Sequence, residues 1–173
     1  CGARSCDRVE ILAESMRIIG GTSRGLHLSP VGEGDAKAHL RPTSDRARES
    51  IFNLLINGGY GNPLAGARVL DVFAGTGALG LEALSRGAAQ AVFLENGPAA
   101  LAILQRNIKL MRAEERTGIL RRDALKPGLN PGAGFDLVFL DPPYGKQMGG
   151  VALAALAGWL TPQALVIWEE NAP

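Results

Sequence analysis

The sequence is poor in residues that bind metal ions. It has only two cysteines and two histidines among 173 residues. Both cysteines, Cys1 and Cys6, lie at the start of the chain, far from the motifs described below. A structural zinc site needs four cysteine or histidine ligands close together. We therefore expect no metal site.

Long hydrophobic runs are also missing. No apolar run reaches the roughly 18 residues that a membrane-spanning helix needs, and no segment resembles a secretory signal. The hydrophobic content of 46% and the charged content of 20% are typical of a folded globular protein. The length suffices for one α/β domain but not for two. We predict a cytoplasmic, single-domain protein without membrane contact, and we expect a monomer.

The net charge is only +1, but the charges are unevenly distributed. Residues 101–126 contain seven basic and three acidic side chains. An excess of positive charge attracts phosphate, yet it also suits a solvated helix face and strand edge. Both interpretations stay open for the basic residues of this stretch, which are Arg106, Lys109, Arg112, Arg116, Arg121, Arg122 and Lys126.

The N-terminal part of the chain divides into an extension and a small structured region. We expect residues 1–15 to be a disordered extension, because an alternating apolar pattern, and a natural start, begin at Met16. Residues 16–65 predict a β-hairpin with Arg24 at its tip, a polar loop, and a helix capped by Ser44 that ends at Asn57. The apolar face of that helix should contain Ala47, Ile51, Leu54 and Leu55.

Residues 66–173 alternate between short apolar runs and helical stretches, and they form the predicted cofactor-binding core. The runs predict strands at 69–73, 91–94, 118–120, 137–140 and 165–168, with helices at 78–85, 98–111 and 151–160. Continuously hydrophobic strands joined by helices indicate a parallel sheet that is covered on both faces. The predicted fold class is therefore α/β, with a Rossmann-like, mainly parallel and doubly wound sheet after an N-terminal β-hairpin and helix. Ligands of such sheets bind beyond the carboxyl ends of the strands.

A glycine-rich loop follows the first of these strands. Gly75, Gly77 and Gly80 match the G-x-G-x-x-G pattern of dinucleotide-binding enzymes, and Glu95 closes the next strand 20 residues after Gly75. A nicotinamide-dependent oxidoreductase is therefore one candidate. A purely structural turn is another.

Asp71 distinguishes between possible cofactors. Its carboxylate at the strand end would repel a pyrophosphate, but it would attract the sulfonium and ammonium groups of S-adenosylmethionine, directly or through water. Glu95 suits either cofactor, because its oxygens can accept from ribose hydroxyls. Asp123 and Ala124 end the third strand, where an acceptor could bind an adenine amino group or cap the next turn.

The motif Asp141-Pro142-Pro143-Tyr144 follows the fourth strand and indicates the chemistry. The two prolines fix the backbone and remove two amide donors, which leaves carbonyl acceptors beside the Asp141 carboxylate. The tyrosine ring of Tyr144 offers a stacking surface. Acceptors next to a flat ring suit a planar base with an exocyclic amino group. A proline turn with a packed tyrosine is the structural alternative.

The glycine-rich loop and the Asp-Pro-Pro-Tyr motif together resemble the class I amino-methyltransferases. The segments Met16-Arg17-Ile18-Ile19-Gly20-Gly21, Arg24-Gly25, Arg41-Pro42-Thr43 and the residues from Arg46 to Asn53 narrow this resemblance. They look like the bacterial small-subunit ribosomal RNA guanine-N2 methyltransferases of the RsmD type. The resemblance runs from about Met16 to the end of the sequence.

The resemblance implies a Rossmann-like class I methyltransferase fold, S-adenosylmethionine as cofactor and ribosomal RNA as partner, either free or within a small-subunit assembly particle. It implies that Asp141, Pro142, Pro143 and Tyr144 are catalytic and that Arg17, Arg24 and Arg46 contact RNA. The implied cofactor-binding residues are Arg41, Thr43, Asp71, Phe73, Ala74, Gly75, Gly77, Glu95, Asn96, Asp123 and Ala124.

Two departures from the family pattern are visible. Leu26 and His27 stand where more basic residues are expected, which predicts weaker RNA contacts through the hairpin. The family fold usually has two further strands after the fifth, so either a terminus is missing or the sheet is shorter.

The Asp-Pro-Pro-Tyr motif also occurs in DNA adenine-N6 methyltransferases, and Asn-Pro-Pro-Tyr serves protein glutamine methylation. A DNA enzyme normally needs a separate target-recognition region, for which this sequence has little room.

Overall fold

The computed structural model describes residues 16–30, 43–143 and 145–169. The described helices are α1 (Asp45–Asn57), α2 (Ala78–Ser85), α3 (Pro98–Leu110) and α4 (Met148–Leu156). The strands are β1 (Arg68–Val72), β2 (Gln90–Leu94), β3 (Thr117–Leu120), β4 (Phe135–Leu140) and β5 (Leu160–Trp168). Short 3-10 turns precede β3 and β5.

The five strands form one parallel sheet in the order β3-β2-β1-β4-β5. The chain winds outward from β1 to β3 and then returns to the other side of β1 to begin β4. The strand order therefore reverses between β1 and β4. In open α/β sheets ligands bind in the crevice at this switch point, outside the carboxyl ends of the strands.

The hydrophobic core has two layers, one on each face of the sheet. One layer contains Phe93 and Phe139 of the sheet and side chains of α1, α2 and α3, whereas the other packs α4 and Trp159 against Leu70 and Val138. Alternate residues of a strand point to opposite faces, so strands that are buried on both sides must be apolar throughout. The predicted Rossmann-like, doubly wound fold is confirmed.

The predicted N-terminal hairpin is present in a short form. Its arms meet in one antiparallel bridge between Arg17 and His27, with the turn at residues 22–25. Gly21 permits the docking of this hairpin, because its φ is +78° and an added Cβ would lie 1.8 Å from the Ser85 carbonyl oxygen. The Thr22 amide donates to that same carbonyl at 2.8 Å. The hairpin is therefore fixed to the end of α2.

Helix α1 begins as predicted, and its buried face agrees only in part with the predicted one, since Leu55 is buried and Ile51 packs against the core. Ser44 Oγ accepts from the Ala47 amide at 3.1 Å, as expected for a cap, and the helix ends at Asn57. The buried residues are Arg48, Phe52 and Leu55, whereas Leu54 is 54% exposed, so its predicted place on the apolar face was wrong. The apolar pattern overlooked Arg48, whose guanidinium is buried among polar partners and sets the orientation of the helix.

A buried ionic cluster joins the hairpin, α1 and α2. Glu82 and Arg48 are both fully buried, and Arg48 Nη1 lies 3.4 Å from Glu82 Oε2. Arg86 Nε donates to Glu82 Oε1 at 2.8 Å, and the Ile19 and Gly20 amides donate to the same carboxylate at 2.9 and 2.8 Å. Arg48 also pairs with Asp45 and donates to the Arg17 carbonyl. This cluster fixes the N-terminal region against the sheet.

The predicted helix at 151–160 was wrong at both ends. Helix α4 runs over Met148–Leu156, and β5 already begins at Leu160. Gly149 made the start of this helix hard to predict from the sequence, since glycine is a poor helix former. It is needed there because an added Cβ would lie 2.5 Å from the Trp168 ring.

Among the helices described, none has the length and apolar character of a membrane span. The expectations for residues 1–15 lie outside the described residues, and the boundary near residue 66 stays a prediction.

Candidate active site

Two loops from neighbouring strands meet at the switch point. The glycine-rich loop, residues 73–77, follows β1, and Asp141 follows β4 directly. Because β1 and β4 pair in parallel, with Val72 opposite Leu140, both loops leave the same edge of the sheet. The glycine-rich loop and Asp141 therefore lie at the same edge of the sheet.

The glycine-rich loop turns sharply and is braced from behind. Gly75 and Gly77 have φ angles of +56° and +80°, and Phe73 has +58°, which is unusual for a bulky residue. Asn107 holds the loop, since its side-chain amide donates to the Thr76 carbonyl at 2.9 Å while its oxygen accepts from the Ser29 amide. Asn107 was not predicted from the sequence, because it lies among the apolar residues of the buried face of α3.

Asp71 is buried beneath this loop. Only 2% of the residue is exposed, and its Oδ2 accepts from the Gly80 amide at 2.9 Å, inside the first turn of α2. Burial raises the pKa of Asp71 well above its ordinary value, and the nearby charges of Asp141 and Glu95 raise it further, although the Gly80 contact opposes them. Asp71 therefore holds the first turn of α2, which follows the glycine-rich loop. It would act on a bound cation through its negative charge.

Glu95 accepts hydrogen bonds from backbone amides with both carboxylate oxygens, one from the glycine-rich loop and the other from the residues that follow Glu95. Oε2 accepts from the Gly75 amide at 2.9 Å, and Oε1 accepts from the Asn96 and Gly97 amides at 2.9 and 2.8 Å. A carboxylate has about four acceptor positions, so Oε2 retains capacity for a ribose hydroxyl. The half-buried Glu95 thus links the glycine-rich loop to the end of β2.

The residues after β3 adopt the turn that was the structural alternative. Asp123 is exposed, and its Oδ1 accepts from the Leu125 amide at 2.9 Å, while Ala124 is buried. Binding of adenine by Asp123 stays a prediction. Ala74 is buried, and its amide donates to the Leu94 carbonyl, whereas Asn96 is exposed.

Asp141 is the polar residue that directly follows β4. Its Oδ2 accepts from the Thr43 hydroxyl at 3.1 Å, and it is half-buried above the buried Pro142. Burial, together with the negative charge of Glu169 after β5, raises its pKa from 3.8 to about 6, although the Thr43 contact opposes this rise. The sequence analysis missed Glu169, whose only signal was its position at the end of the neighbouring strand.

The predicted RNA-binding residues lie on the surface. Arg17, Arg24 and Arg46 are all exposed, and Arg17 Nε lies 3.4 Å from Asp45 Oδ2. Pro143 is half-buried beside the crevice. Arg41 and Tyr144 lie outside the described residues, so their predicted roles stay predictions. Within the part of the chain that the structure describes, no group of three or more histidine, cysteine, aspartate or glutamate side chains is arranged to hold a metal.

Comparison with known proteins identifies the family. The family model described as "Conserved hypothetical protein 95" matches residues 16–173. The chain belongs to this family. It is 38% identical over 158 residues to ribosomal RNA small subunit methyltransferase D of Escherichia coli K12, covering 90% of this chain and 75% of the relative. The corresponding protein of Haemophilus influenzae is 36% identical over 163 residues, covering 90% of this chain and 79% of the relative.

A solved structure agrees with this relationship. The Escherichia coli protein yhhF superposes with a TM-score of 0.76 at 37% identity, covering 92% of this chain and 82% of that chain. The family resemblance and the methyltransferase predicted from the sequence are confirmed. The nicotinamide oxidoreductase, the alternative from another enzyme class, is thereby disfavoured.

A methyltransferase needs a methyl donor, and the residues at the switch point fit a cationic one. Asp71 lies next to the last residue of β1, and Glu95 and Asp141 directly follow the neighbouring strands β2 and β4. The charges of Glu95 and Asp141 both raise the pKa of Asp71. Three carboxylates favour a positively charged ligand and oppose a pyrophosphate. The Glu95 oxygen with remaining acceptor capacity suits a sugar hydroxyl.

Proposed function

We propose that the protein transfers the methyl group of S-adenosylmethionine to the N2 amino group of a guanine in small-subunit ribosomal RNA. The observation that carries this proposal is the partly buried Asp141 carboxylate, which stands at the switch point opposite the glycine-rich loop and is followed by Pro142. The names of the relatives in Escherichia coli and Haemophilus influenzae support small-subunit ribosomal RNA as the substrate.

The reaction needs alignment more than a strong base. The guanine amino nitrogen is a poor nucleophile because its lone pair is delocalised into the ring. Hydrogen bonds from its N–H groups to Asp141 and to the Pro142 carbonyl would turn the nitrogen toward tetrahedral geometry and direct its lone pair. Positioning of this kind, with acceptors that are already ordered, can supply much of the rate enhancement.

When bound, S-adenosylmethionine supplies an electrophilic methyl group on a sulfonium sulfur. Transfer would form an N–C bond at the amino nitrogen as the S–C bond breaks, and the electron pair of the S–C bond would stay on sulfur. The extra proton then leaves the nitrogen for water. In this scheme Asp141 holds the N–H groups, while Asp71 and Glu95 favour the positive charge that is present before transfer.

The pH dependence of turnover tests the role of Asp141. The carboxylate accepts N–H groups only when it is ionised, and its pKa lies near 6. Single-turnover rates should therefore fall as the pH decreases through about 6 and should level off above it. Rapid-quench measurements between pH 5 and 8.5 provide the profile. A rate that stays constant down to pH 5 would contradict an ionised Asp141 acceptor.

Cofactor selectivity is a second expected result. S-adenosylhomocysteine should bind and NAD should not, because the Asp71 carboxylate would repel a pyrophosphate. Replacing Glu95 by alanine should weaken S-adenosylhomocysteine binding by about tenfold or more, the scale of a hydrogen bond to a charged group. Glu95→Gln, which keeps one acceptor oxygen, should lose less. Isothermal titration calorimetry measures all four affinities, and micromolar binding of NAD alone would overturn this assignment.

RNA binding should depend on the exposed hairpin tip. Arg24 lies in the turn at residues 22–25 and is exposed. Replacing it by alanine should weaken binding and reduce the salt dependence of the affinity by about one phosphate contact. Arg24→Lys keeps the charge and should keep the slope. Filter binding over a range of salt concentrations gives both slopes, and equal slopes for the two variants would place the RNA surface elsewhere.

The substrate itself is tested by labelling. The protein is incubated with radiolabelled S-adenosylmethionine and with ribosomal RNA, small ribosomal particles or duplex DNA, and the labelled nucleotide is mapped. Label in N2-methylguanine of small-subunit RNA supports the proposal. Label in N6-methyladenine of DNA would assign the site to the alternative substrate class.

A further inference from the structure

We propose that Thr43 is a positioning residue for Asp141: its hydroxyl occupies one carboxylate oxygen and leaves the other to accept the amino group of the substrate. The inference rests on the proposed function and assigns to Thr43 a role different from cofactor binding, the role that the family resemblance implies. The supporting contact is direct, since Thr43 Oγ1 donates to Asp141 Oδ2 at 3.1 Å across 98 positions of the sequence.

The position of Thr43 is fixed by rigid neighbours. Ser44, the next residue, caps α1 through the Ala47 amide. One turn into that helix, Arg48 is fully buried and pairs with Glu82 of α2. The hydroxyl of Thr43 is thus carried by a helix end that is anchored in the core. A donor held in this way can fix the orientation of a carboxylate at little entropic cost.

The strand ends fix Asp141 from the other side. The Glu169 amide donates to the carbonyl of Leu140, the residue before Asp141, at 3.0 Å. Among the described residues, the acidic groups that interact with the Asp141 carboxylate are Glu169, directly after β5, which raises the pKa of Asp141, and Asp71 of β1, whose own pKa Asp141 raises. Two negative neighbours favour protonation of Asp141. The Thr43 hydroxyl favours the ionised form, since it donates to that form.

A near-isosteric pair of variants separates positioning from packing. Thr43→Val keeps the shape but loses the hydroxyl, whereas Thr43→Ser keeps the hydroxyl. Thr43→Val should lower the single-turnover rate at pH 7 by about tenfold, the scale of one hydrogen bond to a charged group. It should also move the acidic limb of the pH profile to higher pH. Thr43→Ser should restore most of the rate and the original limb.

Cofactor binding decides between the two roles of Thr43. If Thr43 positions Asp141, S-adenosylhomocysteine should bind Thr43→Val as well as it binds the unchanged protein. Weakened binding in Thr43→Val, with an unchanged rate at saturating cofactor, would overturn the inference and favour a cofactor contact. Equal rates for the valine and serine variants would overturn it as well.

A measurement without RNA keeps this inference separate from the proposed substrate. The side-chain carboxyl carbon of Asp141 can be followed by NMR in protein labelled with ¹³C at aspartate, with Asp141→Asn used for assignment. The titration midpoint should be higher in Thr43→Val than in the unchanged protein and in Thr43→Ser. Identical titration midpoints in the three proteins would refute the Thr43 contact in solution. If the midpoints differ as expected but the protein does not methylate ribosomal RNA, only the proposed function is refuted.

Discussion

Replacing Asp141 by alanine should lower the turnover of ribosomal RNA methylation by about 10² or more. Losses of this size follow when an ordered polar contact to a reacting group is removed from an enzyme site. Asp141 is held by Thr43 and lies at the end of β4, where it can accept from the substrate amino group. The measurement is a single-turnover rate at saturating cofactor and RNA, which isolates the chemical step from product release.

The asparagine variant is the matched control. Asp141→Asn keeps an acceptor oxygen but loses the charge, so its rate should lie between those of the alanine variant and the unchanged protein. S-adenosylhomocysteine should bind both variants. A well-folded alanine variant with a near-normal rate would show that the Asp-Pro-Pro-Tyr segment is a structural turn.

Stability measurements prevent a misreading of this result. The pKa of Asp141 is raised from 3.8 to about 6, so the native state binds a proton more readily than the unfolded chain between these values. The unfolded state is therefore favoured as the pH rises through this window, and the ionised carboxylate weakens the fold at pH 8. Asp141→Asn should accordingly keep or raise the melting temperature at pH 8, even though it lowers the rate.

Local sequence signals predicted the fold well. Helix α2 has the predicted bounds, and α3 differs from its prediction by one residue at its C-terminal end. Glycine and proline mark the ends of these elements, and strands buried on both faces are apolar throughout, so both signals are readable along the chain. The order of motifs then placed Asp71, the glycine-rich loop and Asp141 at one edge of the sheet.

Contacts between distant segments could not be read in the same way. Thr43 and Asp141 meet although 98 positions separate them in the sequence, and nothing in either segment specifies the other as a partner. Every residue of α2 is buried, and Glu82 in this helix is fully buried although its side chain is charged. The helical pattern of apolar and polar residues assigns a charged residue to the surface. This assignment fails for a helix that tertiary packing covers completely.

Replacing Glu82 by leucine should cost about 3 to 5 kcal/mol of unfolding free energy, the usual consequence of removing one partner from a buried ion pair. The variant would leave the buried Arg48 guanidinium without its nearest carboxylate in α2. It would also remove the acceptor of the Ile19 and Gly20 amides, which attach the hairpin to the core. Urea unfolding should show a lower midpoint with little change in slope, since the same surface is exposed.

Two comparisons identify the cause of that loss. Glu49→Leu changes an exposed glutamate of α1 and should alter the stability by no more than about 0.5 kcal/mol. Glu82→Leu combined with Arg48→Met removes both buried charges and should recover part of the loss, because no buried guanidinium then depends on Asp45 as its remaining carboxylate partner. Hydrogen exchange at the Ile19 and Gly20 amides should become faster in Glu82→Leu, since their acceptor is gone. If Glu82→Leu were as stable as Glu49→Leu, Arg48 would have sufficient partners without Glu82. The ionic cluster would then not be what holds the N-terminal region, including Thr43, against the sheet.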